Sequence, residues 1–105
     1  MAHVRLNSGA ITDWPSFHAE CRRTLGFPDF YGANMDAWID CMSSLDDNDD
    51  MVGIHLGPGE MLFLEVPDIE ALNARVPEVV SALVECTGFL NGSRYDEPRI
   101  ALVFS

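Results

Sequence analysis

Short apolar runs alternate with segments of helical periodicity along the 105 residues, and this order constrains the fold more than any other feature. Strands are predicted at 2–6, 52–56, 61–66 and 99–104, and helices at 13–25, 35–45, 68–74 and 77–89. Because helical crossovers separate most of these strands, we expect the main strands to pair in parallel. The sequence therefore predicts an α/β fold, with one small domain that spans residues 1–105.

Two of the apolar runs lie unusually close together. The tetrapeptide Gly-Pro-Gly-Glu at 57–60 separates them and has the composition of a turn. We therefore expect an extra strand that forms a hairpin over 52–66. The last run, 99–104, is apolar enough to predict a strand buried on both faces.

The cysteines indicate a reducing environment. Cys21, Cys41 and Cys86 are an odd number at wide spacing, without a Cys-x-x-Cys pair, and are expected to be reduced thiols of the core. The first nine residues lack the apolar run of a signal peptide, and no stretch reaches the ~20 apolar residues of a membrane span. We therefore expect a cytoplasmic protein that does not bind a membrane.

The charge of the chain is strongly unbalanced. Six basic residues, all arginine, face 17 acidic ones, for a net charge of −11. This excludes electrostatic binding to nucleic acid or to anionic lipid. The charge is also uneven, since residues 24–74 hold eleven acidic residues and no basic one. The distribution predicts a basic protein partner, with a merely solvated acidic face as the alternative.

The predicted helix at 35–45 has two contrasting faces. At about 100° per residue, Trp38, Cys41 and Met42 fall on an apolar face, whereas Asp36 and Asp40 share the opposite one. Like charges four residues apart cost a helix about 0.2–0.5 kcal/mol. Aspartate is also a poor helix former in mid-helix. Because stability alone would not favour Asp40 at this position, we predict that it binds a partner.

The residues around this helix carry a specific resemblance. Residues 31–37 read Tyr-Gly-Ala-Asn-Met-Asp-Ala and are followed by the pair Asp40-Cys41. Together with the close match over 11–45, this segment resembles the barstar family, small intracellular inhibitors of secreted bacterial ribonucleases. The resemblance implies a three-stranded parallel sheet packed with about four helices. It also implies a non-enzyme that binds a basic, extracellular-type ribonuclease in a 1:1 complex and is a monomer when free.

The resemblance further implies which residues meet the ribonuclease. The helix and the loop before it, about 28–46, would plug the basic active site, with Asp40 in the phosphate pocket. Six residues are implied as partner contacts: Asp36, Asp40, Ser43, Phe30, Ile39 and Glu85. Phe30 stands where the family has a tyrosine and Ile39 where it has a tryptophan. These departures, with the acidic run at 46–50, indicate a different cognate enzyme.

Other functions are less well supported. No nucleophile elbow, acid–base pair or metal triad is recognisable, and no cofactor is expected. The acidic run at 46–50 fails the calcium-loop pattern, because its sixth position is Met51 and its twelfth is Gly57. His18 and Cys21 lack a second ligand pair, so we expect a surface histidine beside a core thiol. The alternative that stays open is an acidic interaction or immunity protein against another basic toxin, such as a nucleic-acid mimic.

Overall fold

A computed structural model describes residues 2–105 and shows three strands and four α-helices. They follow in the order β1 (Ala2–Arg5), α1 (Trp14–Leu25), α2 (Met35–Met42), β2 (Leu62–Val66), α3 (Ile69–Arg75), α4 (Pro77–Phe89) and β3 (Ile100–Phe104). The strands form one parallel sheet in the order β1-β2-β3. The predicted α/β fold with a three-stranded parallel sheet and about four helices is confirmed.

The central strand β2 carries the core of the sheet. Its alternate residues Leu62, Leu64 and Val66 are buried. Glu65 points to the opposite face, where its carboxylate lies 3.1 Å from Nε2 of His3. Since side chains alternate between the two faces of a strand, this pattern places the core on one face of the sheet.

The helices bring large apolar side chains to this core. The fully buried ones are Trp38, Phe17, Leu6, Ile11, Leu25, Met42, Leu45, Leu62, Leu64, Leu72, Leu83 and Leu90. Helix α4 packs against α2, α3 and β3, whereas α1 packs against β1. Helices α2 and α4 are therefore neighbours. Within residues 2–105, the longest helix has 13 residues, and none has the length and apolarity to cross a membrane.

Helix α1 begins and ends with local signals. The Asp13 side chain accepts a hydrogen bond from the backbone N–H of Ser16 at 2.9 Å, and Ser16 Oγ accepts from the Asp13 N–H at 3.0 Å. This reciprocal capping box satisfies two backbone donors at the start of the helix. Gly26 ends α1 with φ of 71°, a left-handed conformation that glycine adopts without steric penalty.

The predicted hairpin over 52–66 is wrong, because its first half forms no strand. Both edges of β2 are occupied by β1 and β3, which leaves no edge for an extra strand. Instead, the segment forms hydrogen bonds with the last residue of α1 and with the turn after α2: Gly53 N donates to Leu25 O at 2.8 Å, and Leu56 N donates to Leu45 O at 2.6 Å. Val52 and Leu56 are buried because the segment closes over these residues, whereas Ile54 is half-buried.

The prediction that the last strand is buried on both faces is also wrong. β3 lies at the edge of the sheet, and only Ile100 at its start is fully buried. Val103 and Phe104 expose 38% and 41% of their surface. An apolar run therefore does not distinguish an edge strand from a central one.

Two glycines with positive φ provide a test of this packing. A Cβ at Gly26 would lie 2.8 Å from Cα and 2.9 Å from N of Gly53, whereas Gly59, with φ of 76°, faces open space. Gly59→Ala should cost about 1 kcal/mol, the penalty of a left-handed alanine. Gly26→Ala should cost about 3 kcal/mol or more, since backbone must also move. Urea unfolding measures both, and equal losses would contradict the close contact between Gly26 and Gly53.

Candidate partner-binding site

Helix α2 separates buried apolar residues from exposed carboxylates, as the sequence predicts. Trp38 and Met42 are fully buried and Cys41 is 2% exposed. Asp36 and Asp40 are exposed on the opposite side, and the Asp40 side chain shows 68% of its surface. The packing of one face therefore determines that the two charges point to solvent.

The start of α2 is fixed by Asn34. Its side-chain oxygen accepts a hydrogen bond from the N–H of Ala37 at 2.8 Å, as a helix N-cap does. Ala33 precedes the cap in a left-handed conformation with φ of 52°. The cap places Asp36 in the first helical turn, where the helix dipole favours a negative charge.

The end of α2 is fixed by Tyr95, which the sequence does not single out. Its buried hydroxyl donates to the carbonyl of Met42 and accepts from the N–H of Leu45 at 3.2 Å. Ser43 Oγ donates to the carbonyl of Ile39 at 2.6 Å. Side-chain hydroxyls thus donate hydrogen bonds to carbonyls in the last turn of the helix. Helix α2 ends at Met42 rather than at the predicted Leu45. Nothing in the sequence near α2 indicates this distant contact.

The connector between α1 and α2, residues 26–34, presents Phe30 to solvent, with 75% of its surface exposed. The next residue, Tyr31, is fixed by two side chains: its hydroxyl lies 2.5 Å from Nδ1 of His18, and the centre of its ring lies 4.7 Å from that of Phe27. Asp29 forms an ion pair with Arg22 of α1. Phe30 therefore extends from an anchored segment.

His18 is not the surface residue that the sequence predicts. It is 4% exposed, and its ring stacks on that of Trp14 at 5.9 Å and lies edge-on to Phe17 at 5.2 Å. Burial lowers the pKa of His18, because the charged imidazole loses its hydration. A neutral histidine therefore supports Tyr31 and the connector.

Helix α4 adds a third carboxylate beside α2. Glu85 is exposed, and the next residue, Cys86, is half-buried. Burial raises the pKa of the Cys86 thiol, and the charges of Glu85 and Asp36 raise it further. Helix α4, which packs against α2, thus adds an exposed carboxylate next to a half-buried thiol.

A cation reaches the same face from the turn after α4. Nη2 of Arg94 lies 3.9 Å from Oδ1 of Asp40. Arg94 ends a π-helical turn, Leu90–Arg94, that continues the chain beyond the predicted end of the helix at residue 89. Sequence reasoning misses this residue, because no pattern connects it with α2.

Comparison with known families identifies the chain. The model of the barstar family, described as the barnase inhibitor, matches residues 1–101. The chain belongs to the barstar family. A comparison with curated proteins gives no significant match. Barstar family members are ribonuclease inhibitors that act by binding and are not enzymes. The resemblance that the sequence carries most clearly at 11–45 thus extends over nearly the whole chain.

The six contact residues implied by the family occupy different environments. Asp36, Asp40, Glu85 and Phe30 are exposed. Ile39 and Ser43 are half-buried, and the Ser43 hydroxyl already donates within α2. Asp36 lies on α2 and Glu85 on α4, and these two helices pack against each other. Their contact with a ribonuclease stays a prediction.

The acidic loop that follows α2 is exposed but has internal structure. Residues 46–50 are all exposed. The Asp49 carboxylate accepts hydrogen bonds from Ser44 Oγ and from the Met51 N–H, both at 3.1 Å. No three His, Cys, Asp or Glu side chains within residues 2–105 are grouped as metal ligands. The Asp49 carboxylate therefore links the loop to the residues on either side of it.

The three thiols should differ in reactivity towards a disulfide reagent at pH 8. Burial raises the pKa of Cys21 to about 12 and that of Cys41 to about 11, so both should react only as fast as the protein unfolds. Cys86, half-buried rather than in the core, should react first. Cys86→Ser should remove the fast phase, and equally fast labelling of Cys41 would contradict the packing of α2.

His18 should make the protein less stable in mild acid. Its folded pKa lies below the ordinary value of 6.5, so the unfolded chain binds more protons below that pH. The free energy of unfolding should therefore be unaffected by His18 above pH 7 and should fall as pH decreases through 6.5 towards the folded pKa. Carboxylates with a lowered pKa, such as Glu20, change the free energy of unfolding only at a lower pH than His18 does.

Urea unfolding at pH 7.5 and pH 5.5 tests this effect. His18→Gln should reduce the difference in stability between the two pH values. His55→Gln is the matched control, because His55 is exposed. An unchanged pH dependence in His18→Gln would show that His18 is not held neutral.

Proposed function

We propose that this protein inhibits a barnase-type ribonuclease by covering its active site with residues 28–46, which include α2 and most of the connector before it. The observation that carries the proposal is the arrangement of α2, with Asp36 and Asp40 exposed on a helix whose other face is buried. Membership of the barstar family supplies the class of partner.

The chemistry of RNA cleavage explains why carboxylates suit this task. A ribonuclease gathers cations around the phosphate that it cleaves. A helix that presents two carboxylates competes for those cations and offers no bond that the enzyme can cut. The acidic stretch 24–74 extends this charge over the surrounding surface. Complementary potentials of this kind raise association rates to about 10⁸–10⁹ M⁻¹s⁻¹ at low salt.

The proposed contacts have distinct roles. Asp40 occupies the phosphate pocket, and Asp36 meets a second cation. Phe30, the most exposed large apolar residue described, stacks on the enzyme. Ile39 supplies apolar contact and Ser43 a hydroxyl that can still accept a hydrogen bond. Glu85 adds a carboxylate from α4.

The setting of the complex is also proposed. One inhibitor binds one enzyme, because α2 is present once in each chain. The free inhibitor is a monomer in the cytoplasm, where three free thiols stay reduced. There it would protect RNA from a ribonuclease that acts on other cells or is secreted.

Asp40→Ala tests the proposed anchor and should weaken binding to the ribonuclease. Removing one partner of a buried interfacial charge pair costs about 2–5 kcal/mol of binding free energy, a magnitude established in part on the barnase–barstar complex of this same family. Glu70→Ala on α3 makes the same change in net charge and should leave the dissociation constant within about twofold. Binding is measured with a ribonuclease that the native protein inhibits.

The same variant separates a role in binding from a role in folding. Asp40→Ala should leave stability unchanged or raise it by about 0.5 kcal/mol, because it ends repulsion with Asp36 and introduces a better helix former. An unfolded Asp40→Ala, or one with native affinity, would show that Asp40 is not the anchor. Binding to DNA-binding proteins without inhibition of any barnase-type ribonuclease would favour the nucleic-acid mimic instead.

A further inference from the structure

One basic residue stands among the carboxylates of the candidate site. The guanidinium of Arg94 lies 3.9 Å from the Asp40 carboxylate, with 47% and 68% of the two side chains exposed. The other arginines have partners elsewhere: Arg5 with Glu65, Arg22 with Asp29, Arg23 with Glu20, and Arg75 and Arg99 with backbone carbonyls. Within residues 2–105, Arg94 is the one arginine paired with a carboxylate of α2.

The position of Arg94 is set by hydrogen bonds on both sides. The turn that it ends is joined to β3 through Asn91, whose side-chain oxygen accepts from the N–H of Ile100 at 3.1 Å. The following residue, Tyr95, donates to the last carbonyl of α2. The turn is therefore fastened to the same helix that carries Asp40.

An ion pair as exposed as this one contributes little to folding. The ion pair matters more when a partner covers this face of the protein. Water is then removed from the guanidinium, and a buried charge is unfavourable unless an opposite charge meets it. Under the proposed function, on which this inference rests, Asp40 is bound by cations of the enzyme. Arg94 then needs an anion that the enzyme supplies.

The active site of a ribonuclease can offer such an anion. Cleavage through the ribose hydroxyl requires a group that takes up its proton, and a carboxylate beside the phosphate-binding cations can do so. The carboxylates of α2 and α4 repel that group, whereas Arg94 attracts it. We propose that Arg94 is a specificity-determining residue that pairs with this carboxylate and selects ribonucleases that have one.

Arg94→Gln is the test variant, because it removes the charge and keeps a polar side chain. Arg5→Gln is the matched control: it makes the same change in net charge on β1, and Arg5 is also ion-paired, with Nε 3.6 Å from Glu65. Unfolding midpoints close to the native value verify that both variants fold. Each protein is then bound to a barnase-type ribonuclease that the native protein inhibits.

The enzyme is used in two forms, native and with its proton-accepting carboxylate replaced by an amide. Affinity is measured by direct binding, since the amide form does not cleave RNA. Arg94→Gln should weaken binding to the native enzyme about tenfold or more, and Arg5→Gln by less than about twofold. Against the amide form, Arg94→Gln and the native inhibitor should bind alike, as expected when both changes remove the same contact.

Two results would overturn the role of Arg94 and leave the proposed function intact. One is native or tighter binding by Arg94→Gln, and the other is an equal loss against both enzyme forms. A native protein that binds no barnase-type ribonuclease would instead refute the proposed function, and the role of Arg94 with it. The binding of the native protein therefore distinguishes the two failures.

Discussion

The burial of Trp38, Cys41 and Met42 is the interaction on which the candidate site depends. An isolated helix of eight residues is unstable in water, and two aspartates four residues apart weaken it further. Packing against the core supplies the stability that the local sequence lacks. The same packing holds Asp36 and Asp40 towards solvent, so the charges are positioned without being part of what holds the helix together.

Much of the fold and part of the site could be predicted from sequence. Helical periodicity and capping residues indicate the positions of α1, α2 and α4, and they predict the two faces of α2 correctly. Sheet order could not be read in the same way: the apolar run at 52–56 resembles a strand, although both edges of β2 are already paired. Tyr95 and Arg94 lie far from α2 in sequence and reach it only in the folded chain.

The site combines a helix that is fixed at both ends with a negatively charged surface around it. Asn34 and Tyr95 fix the two ends of α2, and His18 supports the connector through Tyr31. The acidic loop at 46–50 is exposed and held by Asp49. Rigidity limits the entropy lost on binding, whereas the wider charge acts at a distance on the rate of encounter.

The contact between Tyr95 and α2 also has a consequence for synthesis. A nascent chain emerges from its N-terminus, so α2 is outside the ribosome well before Tyr95 and β3 have been added. Until then the end of α2 lacks its side-chain partner, and β2 lacks the neighbour on one edge. We therefore expect a competent binding surface only after Tyr95 and β3 have left the ribosome. A chain truncated before Tyr95 would be a poor inhibitor even with every residue of α2 intact.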